Sequence, residues 1–115
     1  MKGILVRREK AASLRKRLIE KGVEFYEERE GFHILFLFPS GSLPDESGGK
    51  NVYLVDSSLK EIDVKGKSFA IRGGKEAIDR FAPLLEKQGM KVDLEHPDVT
   101  LEIRRWGSKF LVNVF

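Results

Sequence analysis

The residues best placed to do chemistry in this chain are cations gathered at turns. Arg104-Arg105-Trp106-Gly107-Ser108-Lys109 sets three positive charges and an indole around a glycine. Such a tip can neutralise adjacent phosphates, and the Trp106 ring can stack on a base or a terminal ribose, an interaction of about 1–3 kcal/mol. A tryptophan beside a glycine turn can equally fold over the end of a core, and both readings stay open. Arg72-Gly73-Gly74-Lys75 lies between a strand and a helix start, where exposed amides and the helix dipole favour an anion. A plain tight turn would carry the same residues. Lys10, Arg17 and Lys21 fall within about 40° of one another on a helical wheel. With Arg7 and Arg8 nearby they read either as a phosphate track or as an ordinary solvated face.

Other chemistries fail on spacing. Gly48-Gly49-Lys50 has the flavour of a phosphate-binding loop, but the earlier glycine is misplaced and Asn51 stands where Ser or Thr is needed. His33 and His96 are far apart and cysteine is absent, so no metal-ligand spacing exists. The serines lack a nucleophile-elbow context, and there is no dinucleotide fingerprint. Glu27, Glu28 and Glu30 cluster at a hairpin, where solvation explains them. The expectation is a chain with no catalytic residues, no metal and no cofactor.

The elements that must position these cations follow from periodicity and punctuation. Met1 to Val6 reads as a strand and Glu9 to Lys21 as a helix ended by Gly22, with Ala11, Leu14 and Leu18 on one face. Val23–Glu28 and Phe32–Phe38 form a hairpin around Arg29-Glu30-Gly31, and Phe32–Phe38, apolar on both faces apart from His33, should be an inner strand. Pro39 to Lys50, with Gly41, Pro44, Ser47, Gly48 and Gly49, is a loop. Asn51–Val55 is a short strand, and Leu59–Val64 a possible further one. Lys67–Arg72 is a strand. Lys75–Gln88 is a helix whose Ala77, Ile78, Phe81, Leu84 and Leu85 share a face, while Pro83 on the polar side should kink or divide it. Val99, Leu101 and Ile103 alternate with Thr100, Glu102 and Arg104, which gives one buried and one wet face. Trp106-Gly107-Ser108 turns the chain into a last strand.

With 115 residues, 41% hydrophobic and 34% charged, the composition is that of a folded domain or of two small ones. No apolar run approaches the roughly 18–20 residues that span a bilayer, and the N-terminus lacks a signal-peptide pattern, so a cytoplasmic protein is expected. Few amides and many Lys, Arg and Glu suit a thermophile. The net charge of +3 conceals asymmetry: residues 1–21 carry +6, residues 22–63 carry −6 and residues 64–115 carry +3. Basic ends flanking an acidic middle point to a polyanionic partner.

Two signatures in the last third carry a family likeness. Ser68-Phe69-Ala70-Ile71-Arg72 is followed, after one helix, by Val92-Asp93-Leu94-Glu95-His96-Pro97-Asp98-Val99 and the strands Thr100–Trp106 and Lys109–Phe115. This order resembles the core of the THUMP domain, a small RNA-binding module attached to tRNA-modifying enzymes. In that pattern Asp93 and Pro97 shape the loop, and Gly73-Gly74-Lys75-Glu76 replaces a segment that is usually longer. THUMP modules are often preceded by a ferredoxin-like domain, and the β-α-β-β start belongs to such a pattern. The resemblance therefore implies an α+β fold: a partial ferredoxin-like N-terminal half, residues 1–64, packed on a THUMP-like α/β C-terminal half, residues 65–115. It implies non-catalytic RNA binding, with tRNA gripped by its acceptor stem or 3′ end and presented to a separate modifying enzyme. Arg72, Lys75, Arg104, Arg105 and Lys109 would neutralise phosphates, Trp106 would stack, and Lys10, Arg17 and Lys21 would extend the track. The alternative is a protein-interaction adaptor without its own RNA site, docking through the acidic middle and the apolar strand 32–38. Residues 1–38 also resemble the small N-terminal domain of archaeal tRNA guanine methyltransferases.

Overall fold

The computed structural model describes residues 1–46, 48–60 and 62–115. Ser47, read above as loop, and Glu61, inside the possible strand 59–64, lie outside the described residues. What is described is a mixed α/β fold of eight strands and two helices that divides into two units, Met1–Val52 and Tyr53–Phe115. The division falls twelve residues before the boundary read from the sequence, at 64/65. Its physical reason is strand pairing: Tyr53, Leu54 and Val55 are hydrogen-bonded partners of Val112, Leu111 and Phe110.

In the first unit, β1 (Lys2–Arg7) runs directly into α1 (Arg8–Glu20), and β2 (Tyr26–Glu30) and β3 (His33–Leu37) follow as a hairpin. β3 lies between β1 and β2, antiparallel to both. Its inner position is the one expected for an apolar run. Ala11, Leu14 and Leu18 of α1 pack on Ile4, Val6, Ile34, Phe36 and Phe38, and the helix ends where the amides of Gly22 and Val23 turn back to the carbonyls of Ile19 and Leu18. The hairpin differs from expectation. Arg29 and Glu30 belong to β2, with Glu30 opposite His33, so only Gly31 and Phe32 make the turn. The apolar strand proposed for docking is also corrected, because Ile34 to Phe38 are no more than 5% exposed. Only Phe32, in the turn, stands in solvent.

The second unit contains the end of β4 (Lys50–Val55), then β5 (Ser68–Arg72), α2 (Lys75–Lys87), β6 (Lys91–Val92), β7 (Val99–Trp106) and β8 (Lys109–Val114). The strand order is β4-β8-β7-β5-β6. β7 and β8 form an antiparallel hairpin, whereas β5 runs parallel to both β7 and β6. A parallel neighbour requires a crossover, and α2 supplies it. Ala77, Phe81 and Leu85 bury against Phe69, Leu101, Ile103, Phe110 and Val112. Phe81 meets Phe110 edge to face, with centroids 5.1 Å apart.

Two elements differ from the sequence reading, the first in that Pro83 does not divide its helix. α2 runs without interruption from Lys75 to Lys87, with Pro83 exposed. Phe81 and Leu85, on either side of the proline and both fully buried, hold the two turns on one core. Among the described residues of 59–64 there is no strand; Leu59 and Ile62 join the core from irregular backbone, linked by Ile62 N–H to the Leu59 carbonyl. The loop before β7 behaves as read. Asp93 Oδ1 accepts the amides of Glu95 and His96, at 3.1 and 3.0 Å, which holds its carboxyl below the ordinary aspartate range. Asp98 Oδ2 accepts the Lys67 amide at 2.7 Å while its own amide donates to Ser68 Oγ at 2.9 Å, fastening the starts of β5 and β7 together.

Candidate nucleic-acid interface

Strand register decides which cations share a surface. Phe69, Leu101, Ile103, Phe110 and Val112 point toward α2, so the residues between them point the other way. In register, Arg72 lies opposite Glu102 and Arg104 opposite Leu111, while Lys109 pairs with Trp106. By this alternation Arg72, Arg104 and Lys109 belong to the face turned away from α2, and all three are exposed. Arg72 and Arg104 sit on neighbouring strands two positions apart, so their Cα atoms are about 8 Å from each other. Glu102 shares the face, and Asp56 lies 3.8 Å from Lys109 Nζ in a loose, exposed pair. Such pairs contribute about 0–1 kcal/mol and yield readily to a competing anion.

The remaining candidates are placed differently. Arg105, next to Arg104, points to the opposite side. Its guanidinium binds Glu76 of α2, donates from Nε to the Gly107 carbonyl at 2.9 Å, and lies 5.1 Å from the centre of the Phe110 ring. The grouping of three cations at one tip is thus corrected: alternation sends Arg105 to the helix side. Trp106 alternates onto the side of Arg104 and Lys109 but is only 4% exposed, so the indole is not available for stacking. Gly107, with φ of +58°, makes the tight turn beyond it, a conformation that favours glycine.

At Arg72-Gly73-Gly74-Lys75 the plain-turn reading gains a specific cause. A Cβ on Gly73 would stand 2.6 Å from the Ile103 carbonyl oxygen, so glycine is required by the close approach of β7. Gly74 caps α2 without a side-chain hydrogen bond, and Lys75 is exposed at the first helical position. An open groove along α2, lined by Lys75, Glu76, Asp79 and Arg80, holds two charges of each sign and favours neither.

In the first unit the helical stripe is largely occupied. Arg17 Nε binds Glu46 Oε2 at 2.8 Å and Lys21 Nζ binds Oε1 at 2.7 Å, with the Glu46 side chain only 4% exposed. Lys21 also reaches the Asp45 carbonyl. Lys10 remains exposed. Of the stripe, Arg17 and Lys21 are thus tied to a carboxylate that sequence distance hid. Elsewhere on this unit Arg15 grips Glu27 with two parallel hydrogen bonds, at 2.8 and 2.6 Å.

The hydrogen bonds from Lys21 and then Arg17 hold the Glu46 carboxyl below the ordinary glutamate range. A group whose folded pKa is depressed contributes stability above its unfolded value, about 4.3, and loses it as pH falls through the lower folded value. The urea midpoint is therefore expected to drop as pH falls below about 4.3, and to drop less in Glu46→Gln. Parallel pH profiles of the two proteins would refute the clamp.

No protein-family model and no curated protein sequence matches the chain. Solved structures do. The whole chain is similar to PH1313 from Pyrococcus horikoshii OT3, with a TM-score of 0.66 at 14% identity, and spans 54% of that chain. It is similar to a 4-thiouridine synthetase determined with RNA and bound ATP, with a TM-score of 0.60 at 16% identity, and spans 41% of that chain. Over 99% of its length it is similar to TrmN from Thermus thermophilus, with a TM-score of 0.59 at 14% identity, and spans 45% of that chain. At such identities the likeness establishes a shared fold. The chain corresponds to about half, or less, of each of these proteins.

Among the described residues no helix is long and apolar enough to cross a membrane, and no group of three or more His, Asp or Glu is arranged to hold a metal ion.

Proposed function

We propose that this chain is a THUMP-like RNA-binding module, its first unit a partial ferredoxin-like domain, and that it binds tRNA without catalysing a reaction itself. A separate tRNA-modifying enzyme would act on the tRNA it holds. The observation that carries the reading is the common, exposed placement of Arg72, Arg104 and Lys109 on the sheet face away from α2. A docking role would not require that convergence. The likeness to a synthetase determined with RNA supports the same class of partner. Lys75 and Lys10 would add outlying phosphate contacts, while Arg105, Arg17 and Lys21 would first have to leave their carboxylates. Recognition would be of backbone shape and an unpaired 3′ end more than of sequence.

The test is fluorescence anisotropy with tRNA over a salt series, with and without the 3′ end. Three phosphate contacts are expected to give a slope of log K against log salt of about −2 to −3. Trimming the 3′ end should weaken binding. A folded protein that fails to bind at low salt would sink this reading. The adaptor reading would then stand, and it retains one supporting observation: edge strand β2, Tyr26–Glu30, is exposed along its whole length and carries three glutamates.

A further inference from the structure

The face that carries Arg72 and Arg104 also holds one exposed aromatic ring. Phe115 is 56% exposed. Its backbone is fixed in the sheet, because its amide donates to the Thr100 carbonyl at 2.8 Å and its carbonyl accepts the Thr100 amide at 2.6 Å. Thr100 alternates in step with Glu102 and Arg104, so this pairing puts the Phe115 ring on their side of the sheet. The Arg72 guanidinium lies 5.7 Å from the ring centre. The cation covers part of the ring and leaves the rest to solvent.

We propose that Phe115, backed by Arg72, is a stacking platform for an unpaired nucleobase. The proposal rests on the reading of this face as an RNA interface and adds to it the group that would hold an unstacked base. Trp106 cannot take that part, being buried. A phenyl ring stacks on any base, since every base has a π face. Main-chain hydrogen bonds fix the Phe115 backbone, so only the two side-chain torsions are left to order when the ring does so. Neighbouring cations would at the same time hold the flanking phosphates, so charge and stacking would act on the same nucleotides.

The experiment compares two fluorescent RNA duplexes, one blunt and one with a short unpaired 3′ overhang, against the wild type, Phe115→Ala, Phe115→Leu and Phe115→Trp. The wild type is expected to prefer the overhang by about 5- to 100-fold, and that preference should persist as salt rises. Phe115→Ala should lose the preference while binding the blunt duplex within twofold of wild type. Phe115→Leu should also lose it, although leucine is comparably apolar. Phe115→Trp should keep it, with its indole emission quenched by the overhang. Phe115→Ala or Phe115→Leu retaining the full preference overturns the platform and leaves the RNA reading intact. Failure of the wild type to bind either duplex overturns both.

Discussion

The variant Arg72→Glu/Arg104→Glu/Lys109→Glu is expected to bind tRNA about 100-fold more weakly than wild type at 0.1 M salt. Each neutralised phosphate contributes about 0.7–0.9 to the salt exponent, so three contacts make binding at 0.1 M some 100- to 500-fold tighter than at 1 M. Removing them forfeits at least that factor, and the reversed charges add repulsion. The slope should flatten by about 2 to 3 at the same time. Arg105→Gln is the internal control: its guanidinium faces α2 and is engaged by Glu76 and Gly107, so affinity should change less than about threefold. Equal losses in the two variants would show that the cations act as a diffuse cloud and that sheet faces are irrelevant. A triple variant that keeps wild-type affinity with a native circular-dichroism spectrum would remove the interface.

The second large effect is on stability. Phe81→Ala should cost about 3–5 kcal/mol, seen as a lowered urea midpoint with an unchanged m-value. Phe81 has no solvent exposure, meets Phe110 edge to face, and joins α2 to the core cluster that includes Leu85 and Leu101. Phe69, Leu101, Ile103, Phe110 and Val112 in the same cluster are held by strand pairing, which limits collapse into the space it leaves. Domains of this size are stable by about 5–15 kcal/mol, so this one truncation removes a large share. A loss under about 1 kcal/mol would mean that α2 is not anchored through this ring.

Much of this architecture was legible from periodicity. The spacing of Ala11, Leu14 and Leu18 marked α1, and the spacing of Ala77, Phe81 and Leu85 marked α2, because a helix with one apolar face writes its period into the sequence. The alternation in β7 marked its two faces and the side taken by Arg104, while grouping the tip cations together hid that Arg105 takes the other side. That same alternation, continued along Lys109, Leu111, Asn113 and Phe115, pointed to the aromatic residue missed at the sequence level. Other features left no local trace. Glu46 binds Arg17 and Lys21 across a loop, and nothing near it in the chain specifies those partners. The two-residue β6 is too short for any pattern, and Leu59 and Ile62 reach the core without regular structure. Trp106 was ambiguous because one side chain near a turn can fold inward or outward, and neighbours in space decide.

The two-residue alternation of β7 from Val99 to Arg104 also bears on how this chain can diverge. Losing or gaining one residue between Val99 and Arg104 would exchange its faces, turning Glu102 toward the helix and Ile103 away from it. Natural variation in length should therefore collect at Gly107-Ser108 and in the stretch between Pro39 and Gly49. Inside β7 only substitutions should be tolerated, with polarity free to change at Thr100, Glu102 and Arg104 and volume conserved at Val99, Leu101, Ile103 and the buried Trp106.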